Sequence, residues 1–410
     1  MSKFTLTFLL QQHTPIIHFQ HEQEGATLRA TELKPKLDRF IIEKMGWGKL
    51  YDLKDNEWQK QWKNIVGKDH ITWFVGKDKT QSPALDYKVK ITAEPQHEKF
   101  IFASLLNDRQ KTMISQGGFT PISPAPYFAD NQHIKPSGVK FDDIEKRGIL
   151  CKGDITVTFF CLNKSLLDKV KDYFETFLVL HNFGTRQSKG FGSFTIKETT
   201  EKQACNILHS ANVGAMQSVK TYSSTAEVFK FITQTYQILK SGTGKKGKDG
   251  IRQTPSKLQL HYRGKKIDGK PVTWEAEPIK DCLYTKAANI QQAEGAKQIV
   301  AWNDERYIRA LLGLAEEYSY MQPSIPIDKV KITDLKEGID RFQSPITFKV
   351  IWGKMYLICH PIPDQMYDRT FVFKATDRVP LHINTPPDTM KLDLPTFLAA
   401  NLRKDEWKKL

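Results

Sequence analysis

Cysteine is scarce: Cys151, Cys161, Cys205, Cys282 and Cys359 are the five in 410 residues, an odd number, far apart and without a C-x-x-C pair. That spacing excludes a disulfide framework and a cysteine zinc site. It predicts reduced, mostly buried thiols and a cytoplasmic protein. Long apolar runs are missing too. No stretch approaches the ~18 residues of a membrane span, so no membrane partner is expected. The opening MSKFTLTFLLQQH carries a lysine and a short apolar run, but the run alternates with threonine and lacks a small-residue cleavage site. It reads as a first β-strand, not a signal peptide. Acid is the charge in short supply: 46 Asp+Glu against 61 Lys+Arg, a net +15 and a pI near 9.3. Such a balance favours polyanionic partners and says nothing about fold.

What is present is enough to fold. Apolar residues make up 40% of the chain, and 410 residues exceed what one hydrophobic core usually serves. Two domains are expected, 1–204 and 205–410. Residues 4–10 alternate as a strand, with a turn at Thr14-Pro15. Leu33, Leu37, Phe40 and Ile41 then repeat at helical spacing towards a stop at Gly46, which puts Pro35 in the first turn. DNEWQKQWKNIVG reads as a short helix whose Trp58 and Trp62 face the core. Residues 87–94 and GDITVTFFCL read as strands, the latter followed by the amphipathic helix KSLLDKVKDYFETFLVL. Residues 117–138 are expected to be a long proline-rich loop without regular structure.

The pattern then restarts. TAEVFKFITQTYQILKSG reads as a helix ending at Gly242, and NDERYIRALLGLAEEYSYM as a second strong helix. SPITFKVIWGKMYLICHPI reads as a hairpin turning at Trp352-Gly353-Lys354, and the chain closes on a short helix. The fold class expected is α+β, with the strand and helix order of the ferredoxin-like split β-α-β unit, the class that also houses the RNA-recognition sheet.

Two segments concentrate charge and backbone freedom. Residues 240–270 hold ten Lys/Arg against two Asp, a local +8, and SGTGKKGKDG within them reads as a flexible loop. Nucleic-acid contact is the favoured reading and a solvated surface loop the plain one. HNFGTRQSKGFGSF, residues 181–194, closes a helix and opens a strand. Its N–H groups, with Arg186 and Lys189, suit a phosphate. A Walker A loop would need Ser or Thr after its lysine and a helix to follow. Here Gly190 follows Lys189, and a strand comes next. A dinucleotide fingerprint likewise opens a helix, so nucleotide hydrolysis and hydride transfer are unsupported.

Gly184, Arg186, Lys189, Gly190, Phe191, Gly192 and Ser193 match one by one the pattern G-x-[RK]-x-x-[RK]-G-[FY]-G-S. The stretch closely resembles the glycine-rich loop of the RAMP proteins, the repeat-associated CRISPR subunits. Gly25, Leu28, Arg29 and Ala30 resemble that family's first-helix entry, with alanine where glycine is common. RALLGLAEEY and DRFQSPITFKV, with Arg341, Ser344 and Pro345, look like second-domain signatures of subunits with two RAMP domains. The resemblance implies two ferredoxin-like (RRM-like) domains in a type III, Cmr-type, RNA-guided effector complex of antiviral defence. It further implies a subunit at the guide RNA's 3′ side that binds guide CRISPR RNA and target RNA, contacts other subunits, and does not cut.

The expected RNA-binding residues are Gly184, Arg186, Lys189, Gly190 and Gly192 in the loop, Arg29, Lys34, Lys36 and Arg39 across one face of the first helix, and Lys245, Lys246 and Lys248 in the lysine loop. No catalytic residue, metal or cofactor is expected. The rival reading is a metal-independent CRISPR RNA-processing endoribonuclease using His13, His18 or His21 as general base. Against it, such enzymes usually carry the glycine-rich loop near the C-terminus, whereas here a whole domain follows. Asp130 and Asp249 sit in loops where a target-cutting aspartate would lie, and nothing in the sequence sets them apart.

Overall fold

The computed structural model describes residues 3–18, 27–53, 55–75, 83–103, 106–123, 146–211, 213, 216–246, 252–267, 269–275, 278–279, 282–283, 299–300, 305–314, 317–318, 330–336, 338–339, 341–375 and 378–410. In the first half these form β1 (Thr5–Gln12), α1 (Ala30–Lys44), α2 (Asp55–Val66), β2 (Lys88–Ala93), β3 (His97–Phe102), α3 (Asp108–Gln116), β4 (Thr120–Ile122), β5 (Lys146–Cys151), β6 (Ile155–Phe160), α4 (Lys164–Leu180) and β7 (Phe194–Ile196). The principal sheet runs β2-β6-β1-β7, all antiparallel. With α1 after β1 and α4 after β6, this is the split β-α-β order of the ferredoxin-like fold. Between β2 and β6 the chain inserts a second sheet, β4-β3-β5.

After α5 (Glu201–Ser210) the same plan returns: β8 (Met216–Ser218), α6 (Thr225–Lys240), then an insertion. The insertion contains β9 (Thr243–Lys246), β10 (Arg252–Thr254), α7 (Lys257–Arg263) and β11 (Val330–Asp334). Next come β12 (Ile346–Ile351) and β13 (Lys354–Cys359), a second insertion with β14 (Thr370–Lys374) and β15 (Leu381–Asn384), and finally α8 (Leu394–Asn401) and β16 (Trp407–Lys409). The sheet order β12-β13-β8-β16 repeats that of the first half strand for strand. The protein is α+β, as expected. The insertions pair with each other in a five-stranded sheet of Ile299–Val300, β15, β14, β11 and Glu317–Tyr318.

Local rules explain most elements. Asn107, Asn163, Thr200 and Ser224 cap α3, α4, α5 and α6 with their side chains. All six residues of β12 are buried, Thr347 and Lys349 included, because layers cover both its faces. One core cluster joins Phe100, Phe102 and Phe191 of the first half to Phe229, Ile232 and Phe348 of the second, so the halves share apolar interior.

Four expectations change. Pro35 lies inside α1, not in its first turn; Thr31 and Pro35 are both exposed, so water reaches the carbonyl that loses its N–H. The expected loop at 117–138 contains β4, which pairs in parallel with β3; residues 124–138, including Asp130, lie outside the described residues. The start of the lysine segment is not a plain loop: β9 and β10 pair as a hairpin, while 247–251, with Lys248 and Asp249, lie outside the described residues. The helix expected at 303–321 is instead a two-residue strand Glu305–Arg306, one 3₁₀ turn Ile308–Leu312, and strand Glu317–Tyr318. Tyr307, Ile308, Ala310, Leu311 and Leu312 are buried together, so the run is a core segment without a polar face. Gly313, at φ 110°, turns the chain away, and the carbonyls of Leu312 and Gly313 accept from Lys240 Nζ.

Candidate nucleic-acid interface

The glycine loop is folded by its own close contacts. Gly184, Arg186, Gly190 and Gly192 are all left-handed, at φ 80°, 56°, 85° and 64°. A Cβ on Gly192 would stand 1.9 Å from Phe183 O, so only glycine fits there. The donors point inward. Gly192 N–H donates to Pro15 O at 2.9 Å, Gly190 N–H to Gln187 O at 3.2 Å, and Gly184 N–H to Glu32 Oε1 at 2.6 Å. Gly190 and Gly192 are buried. These glycines position the loop; their N–H groups are already used within the protein.

The loop also clasps the second half. Phe191 stacks on Phe229 at 4.3 Å, Asn182 Nδ2 donates to Phe348 O at 2.8 Å, and Ser193 Oγ donates to Val350 O at 2.5 Å. Lys189 keeps some exposed stem, but its ammonium is withdrawn from solvent, 2.9 Å from the centre of the Tyr236 ring and without a hydrogen-bond acceptor among the described residues. Burial pushes its pKa well below the lysine range, with Lys240 and Arg186 adding to the effect. Lys240 is pushed to about 7 by burial and by Arg309, with Glu275 opposing. From β12, Lys349 reaches back into the first half and donates to Leu178 O (2.6 Å), His181 O (2.8 Å) and Phe194 O (3.1 Å).

The first-helix residues divide. Residues 34 and 36 are 200° apart around a helix, and Lys34 turns away from the loop to Asp38 and Leu85 O, at 2.7 and 2.8 Å. Lys36 points to the loop, bonding Glu32 at 3.0 Å and Asn182 O at 3.2 Å. Arg39, 64% exposed in its side chain, holds Glu43 at 2.9 Å. Arg29 is the N-cap of α1, and its Nε and Nη2 are buried with no hydrogen-bond partner among the described residues. Gly25 lies outside the described residues, as nothing is described between 19 and 26.

Between α1 and the entry to β12 lies a cleft of about 390 Å³. Lys36, Arg39, His181 and Gln187 line it from the first half, Ser344 and His360 from the second. Arg186 adjoins it in the chain. Arg341, three residues before Ser344, lines a different hollow with Lys331 and Lys374. Lys245 and Lys246 lie on β9, away in the chain from this cleft.

His13 and His18 are occupied. Trp352 N–H donates to His13 Nδ1 at 3.3 Å, and the other ring nitrogen meets Thr195 Oγ1 at 2.8 Å. Burial, with Lys349 adding, drops His13 to about 3. His18 Nε2 donates to Thr27 O at 2.6 Å, and His21 lies outside the described residues. His181, which donates to Phe177 O, is pushed down to about 4 by burial. Sequence reasoning passed over His181, His360, Gln187 and Lys349. Position was the available signal for His181 and Gln187, which sit in the quoted loop; nothing in the sequence marked the other two.

Among the described residues no helix is long and apolar enough to cross a membrane, and the five cysteines are free thiols. Compared with known proteins, residues 3–243 match the family model of the Cmr1 N-terminal domain and residues 255–406 that of the Cmr1 C-terminal domain. No curated protein matches the chain.

Proposed function

The chain belongs to the Cmr1 family, and so to the Cmr-type subunits of type III CRISPR effector complexes, and we propose that it is a non-catalytic subunit binding RNA in such a complex. Its ligands are the 3′ side of the guide RNA and the target RNA paired with it, in the cytoplasm and in antiviral defence. The observation that carries this reading is the cleft where α1, the glycine loop and the Ser344-Pro345 segment meet. Lys36 and Arg39 line it, Arg186 adjoins it, and Arg29, at the start of α1, carries a guanidinium whose Nε and Nη2 have no partner among the described residues. The glycines and Lys189 set the loop's shape, and the arginines and Lys36 meet phosphate. Lys245 and Lys246, on β9, and Lys248 are proposed to contact a further stretch of RNA.

Phosphate contacts carry no sequence information, so specificity falls to base pairing between guide and target. The salt dependence then counts the contacts. Four phosphates on single-stranded RNA give a slope of log K against log salt near −3, at ~0.7 per contact.

The test is one gel series with labelled CRISPR-repeat RNA for wild type, Arg186→Ala/Lys36→Ala and His18→Ala. Intact RNA, bound by wild type and His18→Ala and at least ten-fold more weakly by the double variant, supports the reading. Metal-independent cleavage that His18→Ala abolishes overturns it in favour of an RNA-processing endoribonuclease.

A further inference from the structure

The β12–β13 hairpin ends in a turn that violates the preference of its own geometry. Trp352 and Gly353 are both left-handed, at φ 49° and 73°, as in a type I′ turn. The first of those positions suits Asn, Asp or Gly, because a Cβ there crowds the following carbonyl oxygen. Gly353 is required: its Cβ would lie 2.0 Å from Tyr222 O, and Tyr222 N–H donates to Gly353 O at 2.9 Å. The tryptophan is only partly accounted for by packing: its ring meets His13 edge-to-face at 5.2 Å and rests on the small core that includes Ile351, Tyr356 and Ile358. Its backbone N–H holds His13 whatever the side chain, and its indole N–H reaches only Gln11 Oε1, at 3.3 Å and exposed. A left-handed tryptophan that is only partly packed and also fronts a hollow is a candidate for use by a ligand.

The surroundings indicate which ligand. The Trp352 ring is half-buried and lines a hollow of about 570 Å³ together with Tyr222, Lys152 and Lys197. Tyr222 is the outer end of an aromatic stack: it lies on Phe231 at 5.0 Å and 30°, and Phe231 lies on Trp407 at 5.4 Å and 21°. The interior stack braces the ring that forms the wall. The two lysines hold exposed carboxylates, Lys152 to Glu98 at 3.0 Å and Lys197 to Asp154 at 2.5 Å. Surface pairs of this sort are worth little, so a phosphate taking charge-assisted hydrogen bonds from the lysines would have to displace Asp154, which itself lines the hollow. Two aromatic rings with two lysines at the rim form the combination that receives an unstacked nucleobase and its flanking phosphates.

We infer that this hollow is a stacking site for one unpaired base of single-stranded RNA, the base resting on Trp352 and Tyr222 and the neighbouring phosphates on Lys152 and Lys197. The inference rests on the RNA-binding reading above and adds a second contact to it. Thr347, near the start of β12, lines the first cleft, and Trp352 follows the strand's end. Five residue steps at ~3.4 Å separate them, roughly 17 Å along the strand, so one RNA strand can reach both.

The experiment compares the full chain with Trp352→Asn, which gives the turn its preferred residue, using a labelled single-stranded RNA oligonucleotide and an RNA duplex. The expected result is a modest change in melting temperature, relief of the turn offsetting lost packing on His13 and the small core, with about ten-fold weaker single-strand binding, the order of one base–aromatic stack, and unchanged duplex binding. Single-strand binding equal to wild type overturns the inference and leaves the tryptophan a clasp between hairpin and β1. Should Trp352→Asn fail to fold, Lys152→Glu/Lys197→Glu decides, since it leaves the turn alone. Loss of single-strand affinity with an unchanged melting temperature supports the site, and unchanged affinity overturns it. If wild type binds no RNA, the proposed function fails. If wild type binds and only the cleft variants weaken it, the stacking site alone fails.

Discussion

Replacing Lys349 by methionine tests how the two halves are held together. The ammonium has no contact with solvent and donates to three carbonyl oxygens, at 2.6, 2.8 and 3.1 Å, two of them at the C-terminal end of α4. Burial pushes its pKa well below the lysine range. Three acceptors nevertheless require three N–H groups, and only the protonated form has them; the negative end of the α4 dipole favours the same form. Methionine keeps the length and removes the donors, leaving three buried carbonyls unpaired at about 1–3 kcal/mol each. Relief from burying an ammonium offsets part of that, since desolvation of an ion is itself several kcal/mol. The net expected loss is about 3 kcal/mol. For one cooperative unit of 410 residues, at ~2.1 cal/mol/K of unfolding entropy per residue, that corresponds to a fall in melting temperature of about 3–4 °C. Scanning calorimetry is the assay. Because Lys349 joins β12 to α4 and β7, the single wild-type transition should also broaden or split as the halves uncouple. A variant melting within 1 °C of wild type, in one transition, refutes the reasoning.

Gly192→Ala brings a Cβ to 1.9 Å from Phe183 O at φ 64°, and should abolish soluble expression or lower the melting temperature by 10 °C or more; Gly118→Ala, left-handed at φ 80° but with nothing within 4 Å, should lose only about 1–2 kcal/mol. Arg186→Gly relieves a left-handed non-glycine residue at φ 56°, so urea denaturation should show equal or greater stability while RNA affinity drops several-fold. Lys189→Met removes a buried ammonium that has no acceptor among the described residues, and should leave stability equal or higher by about 1 kcal/mol, with RNA affinity within three-fold of wild type; a ten-fold loss of affinity would put this lysine on the RNA. His13 and His181, held at about 3 and 4 against 6.5 unfolded, bind fewer protons folded than unfolded, so their contribution is whole above pH 6.5 and is lost as pH falls towards 4 and 3. Each accounts for about 2 kcal/mol between pH 6.5 and 5, and His13→Asn should reduce the slope of stability against pH by about one proton in that window.

Legibility from sequence followed physical periodicity. The helices at 164–180 and 225–240 carry clear amphipathic spacing and side-chain caps, and the structure places both within a residue or two of the expected limits. Residues 307–312 misled because a run buried on all sides has the same apolar content as a helix face. Its true conformation depends on Lys240 and Glu275, which are remote in sequence. The glycine loop was legible as a loop with unusual backbone, but not as the clasp between halves. Its partners Phe348, Lys349 and Val350 lie more than 150 residues later, and no local pattern announces that pairing. Lys349 reads in sequence as an outward residue of an alternating strand; only the layer on each face of β12 explains its burial. The two ferredoxin-like orders were legible as a style of element. The strand-for-strand repetition emerged only once the insertions were set aside.

The most direct test of RNA binding in the cleft is photo-cross-linking of a guide RNA carrying 4-thiouridine at successive 3′-side positions, in the assembled effector complex, with adducts mapped by mass spectrometry. The account predicts intact RNA and adducts in peptides covering residues 29–39 and 342–347 for neighbouring guide positions. Adducts confined to other surfaces of this subunit, or RNA cut at the cross-linked position without metal, would contradict it.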